Sequence, residues 1–492
     1  MMKRIVFLNL ALALALSSCS ARGRQAQEGS GGTGPGPELF DGKIEGEISV
    51  SAYDTLRCRA FLEEAAQAFE AEHPGTKINV ETFSAMPEIR TGGTGNQQNV
   101  MVLMQDDPQG RADYVSRVNT SLMSGTGADL YALDVLPLQK FVRNGTLENL
   151  EPYMTGDPAF KREDYRQNIL EALSYQGGTW FLPLDYTFIY IAYDAALVPS
   201  SAAARFGLGT VWNTGELFAI GEGLYNGRNK LFSATFSGMG EQLLNERMQD
   251  FVDLENKRAN FTGGEFTALL NSLQGYGDKG YIPLDPGRQD PEEMMRQAAL
   301  QETDRYFFKL EGNFALFSHF TRGTGIQMRM AEGIRSARSV DDDDEIAGIA
   351  ANADGSVPLS YSTAFGINAR SKNKALSWAF LKFLLSKESQ LSTNLHPNTL
   401  PLHNQARAEK AELRFFSSPA GQRALSGQMR ERMEQYNAAV EALSDKINRF
   451  TVRDSAIDDM IKAEMRYFLN GSRSAEEVAR GLQNKADLYL NE

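Results

Sequence analysis

Residues 46–83 carry two kinds of hydrophobic pattern. In residues 46–54, apolar side chains stand at every second position, which is typical of a β-strand, and residues 77–83 are interpreted as a second strand. Between them, residues 58–72 repeat apolar side chains at helical spacing and end at a His-Pro-Gly turn. This order predicts two parallel strands joined by a crossover helix.

Parallel sheets of this kind bind ligands beyond the carboxyl ends of their strands. The first strand ends at Tyr53 and Asp54, and the second ends at Phe83. We therefore expect a site at these residues and not along the helix. Cys58, at the start of that helix, is interpreted as a packed apolar residue and not as a nucleophile.

Later segments continue the alternation of strands, helices and glycine turns. Residues 129–131 are expected to be a short strand that begins with Asp129 and leads to Asp134, and Gly145 stands where a helix C-cap is expected. Pro183 has no amide hydrogen for a central ladder, so we expect it to end a strand. Residues 184–188 would then form a loop that faces a cleft.

Five segments, in this order, resemble the extracytoplasmic solute-binding proteins of ABC importers, the group that includes maltodextrin-binding and other sugar-binding proteins. They are residues 69–81, 137–153, 168–194, 308–318 and 358–386, and the helical C-terminal segment is similar as well. The resemblance covers residues 46–492 and identifies the chain as a suspected member of extracellular solute-binding protein family 1.

The resemblance implies an α/β fold with two lobes, of the type II periplasmic-binding-protein kind, joined by a hinge. The N-terminal lobe is expected to contain residues 43–157 and 318–369, and the C-terminal lobe 158–317 and 370–492. Its implied function is to capture an extracellular solute, in the first place a mono- or oligosaccharide, by hinge closure and to deliver it to membrane permease subunits.

The ligand residues expected from the strand ends and from the resemblance are aromatic rings for sugar faces and polar groups for hydroxyls. They are Tyr53, Asp54, Asp134, Trp180, Asp185, Tyr186, Phe236, Asn313 and Tyr361. For each of them, core packing or loop structure is the alternative interpretation.

Three local expectations bear on the fold. Residues 314–316 are expected to be a strand, by similarity to the family. Thr214 is a candidate helix N-cap without a full capping box. The acidic run 341–345 lacks the pattern of a calcium loop and is expected to be a solvated loop.

The N-terminus carries a predicted signal peptide, residues 1–19, with basic residues followed by about a dozen apolar ones, too few to span a membrane. Residues 16–19 resemble a bacterial lipobox, which implies lipidation of Cys19; an ordinary signal peptide is the alternative. Residues 20–42 are rich in glycine and polar residues and read as a flexible tether. The expected location is extracytoplasmic, anchored to the bacterial cell membrane by the N-terminal lipid.

The net charge of −13 and the pI near 5.1 disfavour binding to nucleic acid or to anionic membrane surfaces. The chain has two cysteines, so lipidation of Cys19 would leave no partner for an intramolecular disulfide. We expect a monomer.

The sequence shows no sign of a metal site, a cofactor or an ATPase. The four histidines fall in no metal-ligand spacing, and neither a P-loop nor a full dinucleotide fingerprint is present. We predict no enzyme activity, although carboxylate pairs for glycoside hydrolysis can be hidden in a sequence. A non-sugar solute such as a peptide or polyamine, or a sensory binding lipoprotein, are the functional alternatives.

Overall fold

The structure is a computed structural model. It describes residues 44–53, 58–83, 88–92, 99–103, 108–285, 305–313, 315–321, 343–395, 398–416 and 427–491. Three of the sequence predictions fall outside the described residues: the signal peptide with Cys19, the tether, and Asp54.

The strands are β1 Gly46–Tyr53, β2 Thr76–Phe83, β3 Glu88–Gly92, β4 Asn99–Leu103, β5 Leu130–Ala132, β6 Leu182–Pro183, β7 Asp185–Tyr186, β8 Ile189–Asp194, β9 Val211–Trp212, β10 Lys230–Phe232, β11 Val252–Asp253, β12 Arg258–Ala259, β13 Tyr306–Gly312, β14 Asp344–Ala350, β15 Pro358–Leu359, β16 Ala364–Ile367, β17 Leu400–Pro401 and β18 Arg449–Phe450.

The helices are α1 Cys58–Glu72, α2 Pro108–Ser124, α3 Leu138–Arg143, α4 Glu151–Gly156, α5 Gln167–Ala172, α6 Ser200–Ala203, α7 Thr214–Glu222, α8 Phe236–Phe251, α9 Glu265–Asp278, α10 Ala315–Thr321, α11 Lys374–Leu384, α12 Lys387–Gln390, α13 Asn404–Phe416, α14 Gly427–Ser444, α15 Ser455–Leu469 and α16 Ala475–Asn491. A short 3₁₀ helix lies at Arg162–Asp164.

The predicted strand, crossover helix and strand are confirmed as β1, α1 and β2. The two strands pair in parallel, with Gly46 opposite Thr76 and Tyr53 opposite Phe83. The apolar face of α1 is buried, Cys58 included, as its helical spacing predicts. Each large side chain buried in this way contributes about 1.5–3 kcal/mol relative to an exposed one.

The first five-stranded sheet has the order β2-β1-β5-β16-β6. Strands β1, β2 and β5 run parallel, whereas β16 is antiparallel to both of its neighbours. As a result β6 runs in the direction of β5, and the ends of β1, β2, β5 and β6 meet at one edge, the carboxyl edge of the first sheet. Pro183 ends β6 as predicted.

The second five-stranded sheet has the order β10-β13-β8-β14-β9. Its central strand β8 is antiparallel to β13 and β14, and the two outer pairs are parallel. The buried residues form two hydrophobic cores: the first contains the first sheet together with Tyr190, Ala192 and Ile349 of the second sheet, and the second contains most of the other buried apolar residues of the second sheet with α15 and α16. The predicted α/β fold with two lobes is therefore confirmed.

The cores divide the chain at other residues than the predicted ranges. Side chains of α5 and β6, and later those of α11, α13 and α14, pack in the first core, although 158–317 and 370–492 were assigned to the second lobe. Only the last part of the chain, from Ile457, returns to the second core. Helix α11 belongs to the first core because it packs against α1 and β1. These elements are distant from it in the sequence, so the predicted ranges did not include this contact.

The three local expectations are corrected by the structure. Residues 315–321 form helix α10, because the strand ends at Gly312 and the chain then enters the first core. The N-cap of α7 is Asn213, not Thr214, and this shift by one residue completes a capping box with Glu216. In the acidic run, Asp344 begins β14 and is buried.

Candidate functional site

Three aromatic rings meet at the carboxyl edge of the first sheet. Tyr53 and Phe83 are the last residues of β1 and β2, and their ring centroids lie 6.2 Å apart. Tyr114, from α2, lies 5.7 Å from Tyr53 and 5.9 Å from Phe83. The Tyr114 hydroxyl is 3.1 Å from Oγ of Ser51. Parallel pairing of β1 and β2 brings two of the rings together, and α2 supplies the third.

This aromatic cluster borders a cavity of about 640 Å³ between α2 and the polar face of β1, β2 and β5. Its lining is rich in side-chain hydroxyls, from Ser51, Thr82, Ser116, Thr120, Ser121, Ser124 and Thr126. Glu81, Asp113 and Arg117 add charged groups, and Phe83, Tyr114 and Tyr131 add rings. A cavity of this size and lining is able to hold a polar molecule that also has apolar faces.

Asp134 lies two residues beyond β5, at the same edge. Its Oδ1 accepts a hydrogen bond from the Ala364 amide at 3.1 Å, whereas its buried Oδ2 accepts none from the described residues. Burial, together with the nearby charge of Asp185, raises the pKa of the Asp134 carboxyl to about 8. The carboxyl is therefore mainly neutral at pH 7 and able to donate a hydrogen bond.

Asp185 is fully buried and binds a segment of the chain that passes from one lobe to the other. It accepts hydrogen bonds from the amide of Ser362 at 2.8 Å, from the Ser362 hydroxyl, and from Oγ1 of Thr399 at 2.9 Å. Its side-chain oxygens are thus engaged by the protein, which gives this residue a structural role beside the ligand contact that the sequence predicts. The segment that it binds, residues 351–363, connects β14 to β16.

Asn313 occupies a second passage between the lobes, from β13 to α10. It accepts a hydrogen bond from the Thr187 hydroxyl, and its amide hydrogens reach the carbonyl of Asn398 at 3.2 Å. Its backbone amide donates to Phe188 at 2.9 Å. The side chain is 1% exposed, and these hydrogen bonds hold the turn. This is the structural interpretation that the sequence offered as the alternative to a ligand contact.

Three predicted ligand residues lie elsewhere. Tyr186 is fully buried with its hydroxyl 3.3 Å from Oγ of Ser444, and Phe236 is fully buried in the second core, 6.3 Å from the Phe468 ring. Trp180 donates from Nε1 to the Tyr175 carbonyl at 2.7 Å, before β6 begins. Core packing and a tight turn account for these positions.

Tyr361 lies near Asp134, as expected for a residue facing the carboxyl edge. Its half-buried ring packs between Phe181, at 5.4 Å, and Phe450, at 6.0 Å. Burial and, to a smaller extent, the charge of Asp134 raise the pKa of its phenol. The structure thus brings Tyr53, Asp134 and Tyr361 to one edge.

Sequence reasoning missed Tyr114. Its spacing to Val118 is that of a core-facing helix position, and both side chains are indeed buried. Nothing along the chain distinguishes a buried ring at a cavity from one inside a core. Phe83 was indicated only as a strand end, which is the signal that would have found it.

The second lobe presents a groove of about 340 Å³ between α8 and α15. Thr235 and Ser237, which flank the buried Phe236, line it together with Asp458 and Lys462. The start of α15 faces the first sheet, since the Ser455 hydroxyl donates to the Val135 carbonyl at 3.0 Å. The carboxyl edge and α15 therefore lie against one another.

Within the part of the chain that the structure describes, no three His, Cys, Asp or Glu side chains come together in a group suited to a metal ion. None of the helices found there combines the length and the apolar character needed to cross a membrane.

The chain is similar to known proteins in sequence and in fold. A family model described as bacterial extracellular solute-binding protein matches residues 96–402. No curated protein matches the chain.

Several solved structures are similar in fold. An extracellular solute-binding protein family 1 protein from Alicyclobacillus acidocaldarius has a TM-score of 0.53 and 15% identity, over 92% of this chain and 100% of that chain. The sugar-binding protein MalE from Xanthomonas citri has a TM-score of 0.54 and 14% identity, over 91% and 98%. An ABC substrate-binding protein from Listeria monocytogenes, in complex with cycloalternan, has a TM-score of 0.50 and 15% identity, over 91% and 99%.

Proposed function

Because the chain belongs to the bacterial extracellular solute-binding proteins, we propose that it is the binding component of an ABC importer and that its solute is a carbohydrate. The family membership supports the first part. The second part is supported by what two proteins of similar fold bind: a sugar for the Xanthomonas protein and cycloalternan for the Listeria protein.

The observation that carries the carbohydrate proposal is the aromatic cluster beside the hydroxyl-lined cavity of about 640 Å³. A sugar ring has apolar faces that pack on aromatic rings and hydroxyls at its edge that both donate and accept hydrogen bonds. Phe83 and Tyr114 offer rings, and Glu81, Asp113 and Arg117 offer charged partners. Hydrogen bonds to charged groups contribute about 1.5–3 kcal/mol each.

Tyr53 and Asp134 belong to this proposal as the residues next to the cavity. Tyr53 supports the other two rings, and the neutral Asp134 carboxyl would donate a hydrogen bond to a sugar oxygen that is held between the approaching lobes. Closure of the lobes on the ligand would then be favoured, because a ligand shifts a conformational equilibrium toward the form that it binds better.

Lipidation of Cys19 is part of the proposal as well. A diacylglyceryl group at this residue would hold the protein at the outer face of the cell membrane, since two acyl chains give stable anchoring. Residues 20–42 would tether the folded lobes near the permease subunits, and the protein would work as a monomer.

A thermal-shift experiment tests the solute class. The full chain, purified in detergent, is melted with glucose, maltose, maltotriose, cycloalternan, trialanine or spermidine. A ligand at one hundred times its dissociation constant stabilises the folded state by about 2.7 kcal/mol. A shift with a sugar supports the proposal. Shifts with trialanine or spermidine alone, or with none of the six, contradict it.

Phe83 supplies the matched variants for the site. Phe83→Ala should weaken sugar binding about two- to tenfold, because an aromatic contact contributes about 0.5–1.5 kcal/mol. Phe83→Tyr keeps the ring and should bind nearly as the natural protein does. Tyr467→Ala removes a 41% exposed ring in the second lobe and should leave affinity unchanged. Equal binding by Phe83→Ala would place the sugar elsewhere.

A further inference from the structure

An ion pair joins the two lobes next to the candidate site. Nη2 of Arg111, in α2, lies 2.6 Å from Oδ1 of Asp459, in α15. Helix α2 packs in the first core through Tyr114 and Val118, and α15 packs in the second core. The two side chains are 16% and 23% exposed, so solvent screens them less than a surface pair.

The surroundings of the pair show that it lies just beyond a passage between the lobes. Asp454, the N-cap of α15, is buried and accepts a hydrogen bond from Gln139 of the first lobe. Lys140 lies 3.9 Å above the ring of Tyr489, which in turn donates to Asp454. These contacts hold the passage at residues 451–455 in place.

Asp459 follows this passage by one helical turn. Four residues along a helix advance it by about 6 Å. A rotation of the second lobe by about 30° around Ser455 would then move Asp459 by about 3 Å, which is enough to separate charged atoms that now touch. Opening of the lobes should therefore break the pair, whereas the contacts of Asp454 lie at the axis.

Arg111 is also connected to the candidate site. It precedes Tyr114 by three residues, so the two side chains are neighbours on the surface of α2. Tyr114 belongs to the aromatic cluster. One helix thus presents a ring to the cavity and a charge to the opposite lobe.

We propose that Arg111 and Asp459 are a positioning pair for ligand capture: the pair forms as the lobes approach, and it favours the closed arrangement that holds the solute. The inference rests on the proposed function for its purpose. Its structural part, that the pair determines how far the lobes separate, stands by itself. A pair that is present only in the closed form stabilises that form. The ligand then uses less of its own binding free energy to close the lobes.

Chain geometry supplies a matched control on the same helix. Asp458, the neighbour of Asp459, pairs with Arg453 at 2.9 Å, and both belong to the segment that begins the second lobe. Asp458→Asn and Asp459→Asn make the same chemical change one residue apart. Among the contacts of the described residues, Asp459→Asn removes one between the lobes, whereas Asp458→Asn removes the contact with Arg453.

The experiment measures the distance between the lobes. Spin labels are placed on Met123→Cys, at the exposed end of α2, and on Asn271→Cys, at an exposed position of α9, in the full chain in detergent without added sugar. The native Cys58 is buried. Asp459→Asn and Arg111→Gln should shift the distance distribution to longer values, and so should 1 M salt, at which the Debye length is about 3 Å. Asp458→Asn should leave the distribution unchanged.

The charge-swapped double variant Arg111→Asp/Asp459→Arg should restore the natural distribution, which separates loss of the pair from damage to either helix. Unchanged distributions in both single variants overturn the inference. So does a lengthening that Asp458→Asn produces equally.

Sugar affinity distinguishes failure of this inference from failure of the proposed function. If a sugar binds, Asp459→Asn should weaken it roughly fivefold, within the usual range of coupling between sites. If Asp459→Asn lengthens the distance between the lobes but no sugar binds, the role of the ion pair stands and the carbohydrate proposal is contradicted. Sugar binding with unchanged distances and unchanged affinity in Asp459→Asn would keep the proposed function and overturn the pair.

Discussion

Asp134 and Asp185 bind the same short stretch of chain from opposite sides. Oδ1 of Asp134 accepts a hydrogen bond from the Ala364 amide at 3.1 Å, and Oδ1 of Asp185 accepts one from the Ser362 amide at 2.8 Å. The stretch enters β16, the strand between β5 and β6. Two carboxyl groups predicted to contact a ligand are therefore also the groups that fix a connection between the lobes.

Asp134 should make the stability of the protein depend on pH. Its pKa is about 8 in the folded protein and near 4 in an unfolded chain, so between these values the folded state binds the additional proton. Stability is then highest below pH 4, as far as this group is concerned, and falls as pH rises to 8, by at most about 1.4 kcal/mol per unit. Asp134→Asn should flatten this dependence in urea unfolding at pH 5 to 8.

The charged and titratable groups that face Asp134 are Asp185, Tyr361 and Tyr114. The two phenols stay neutral in this range because burial raises the pKa of each. As a control, Asn replaces the exposed Asp278, and this variant should keep the natural slope. A slope unaltered by Asp134→Asn would contradict the burial of a neutral acid.

Asp185→Ala should lower stability by about 3 kcal/mol, because it leaves the Ser362 amide and two hydroxyls without their acceptor. Asp185→Asn keeps an acceptor oxygen and should lose less. Chemical unfolding measures both. A variant Asp185→Ala with natural stability but weakened ligand binding would instead support the ligand contact expected from the sequence.

Lys309 and Asp344 form a buried ion pair at 2.8 Å, with side-chain exposures of 9% and 1%. Lys309→Met should cost about 3–5 kcal/mol, because it leaves the carboxylate buried without its main counter-charge. The double variant Lys309→Met/Asp344→Leu should recover most of this loss, since no charge then stays inside. Urea unfolding measures the stability of both variants. A double variant that is less stable than Lys309→Met would contradict this prediction.

Phe236→Ala should destabilise the protein by about 3–5 kcal/mol, the usual effect of removing a fully buried aromatic side chain. Sugar affinity should be unchanged at temperatures where the variant is folded, because the ring packs in the second core. Tyr467→Ala should stay within about 0.5 kcal/mol of the natural protein. Weakened binding with natural stability would return Phe236 to the candidate site.

Helix α10 shows why one element escaped prediction. The sequence around Asn313 contains alternating apolar residues that suit either a strand or a short buried helix, and periodicity alone does not separate the two. In the structure the strand ends at Gly312, where β13 pairs with Ile189, and the next residues pack in the first core. Packing against the first lobe therefore determines that these residues form a helix and not a strand.

The ordering of β1, α1 and β2, the strand end at Pro183 and the burial of Cys58 follow from the sequence by itself. Each depends on a period of two or 3.6 residues, or on a residue such as proline whose backbone excludes one structure, and these features act over a few neighbouring positions. Membership of the solute-binding protein family also follows from the sequence, because the segments that resemble the family occur along the chain in the order that the family has.

The chemistry of the site was decided only by the tertiary structure. Asp134 meets Ala364 across 230 positions, and Asp185 meets Ser362 across 177. Burial and hydrogen bonding set the pKa of a carboxyl and its availability to a ligand, and neither is a property of its neighbours in sequence. The same holds for Arg111 and Asp459, which become partners only because two lobes face each other.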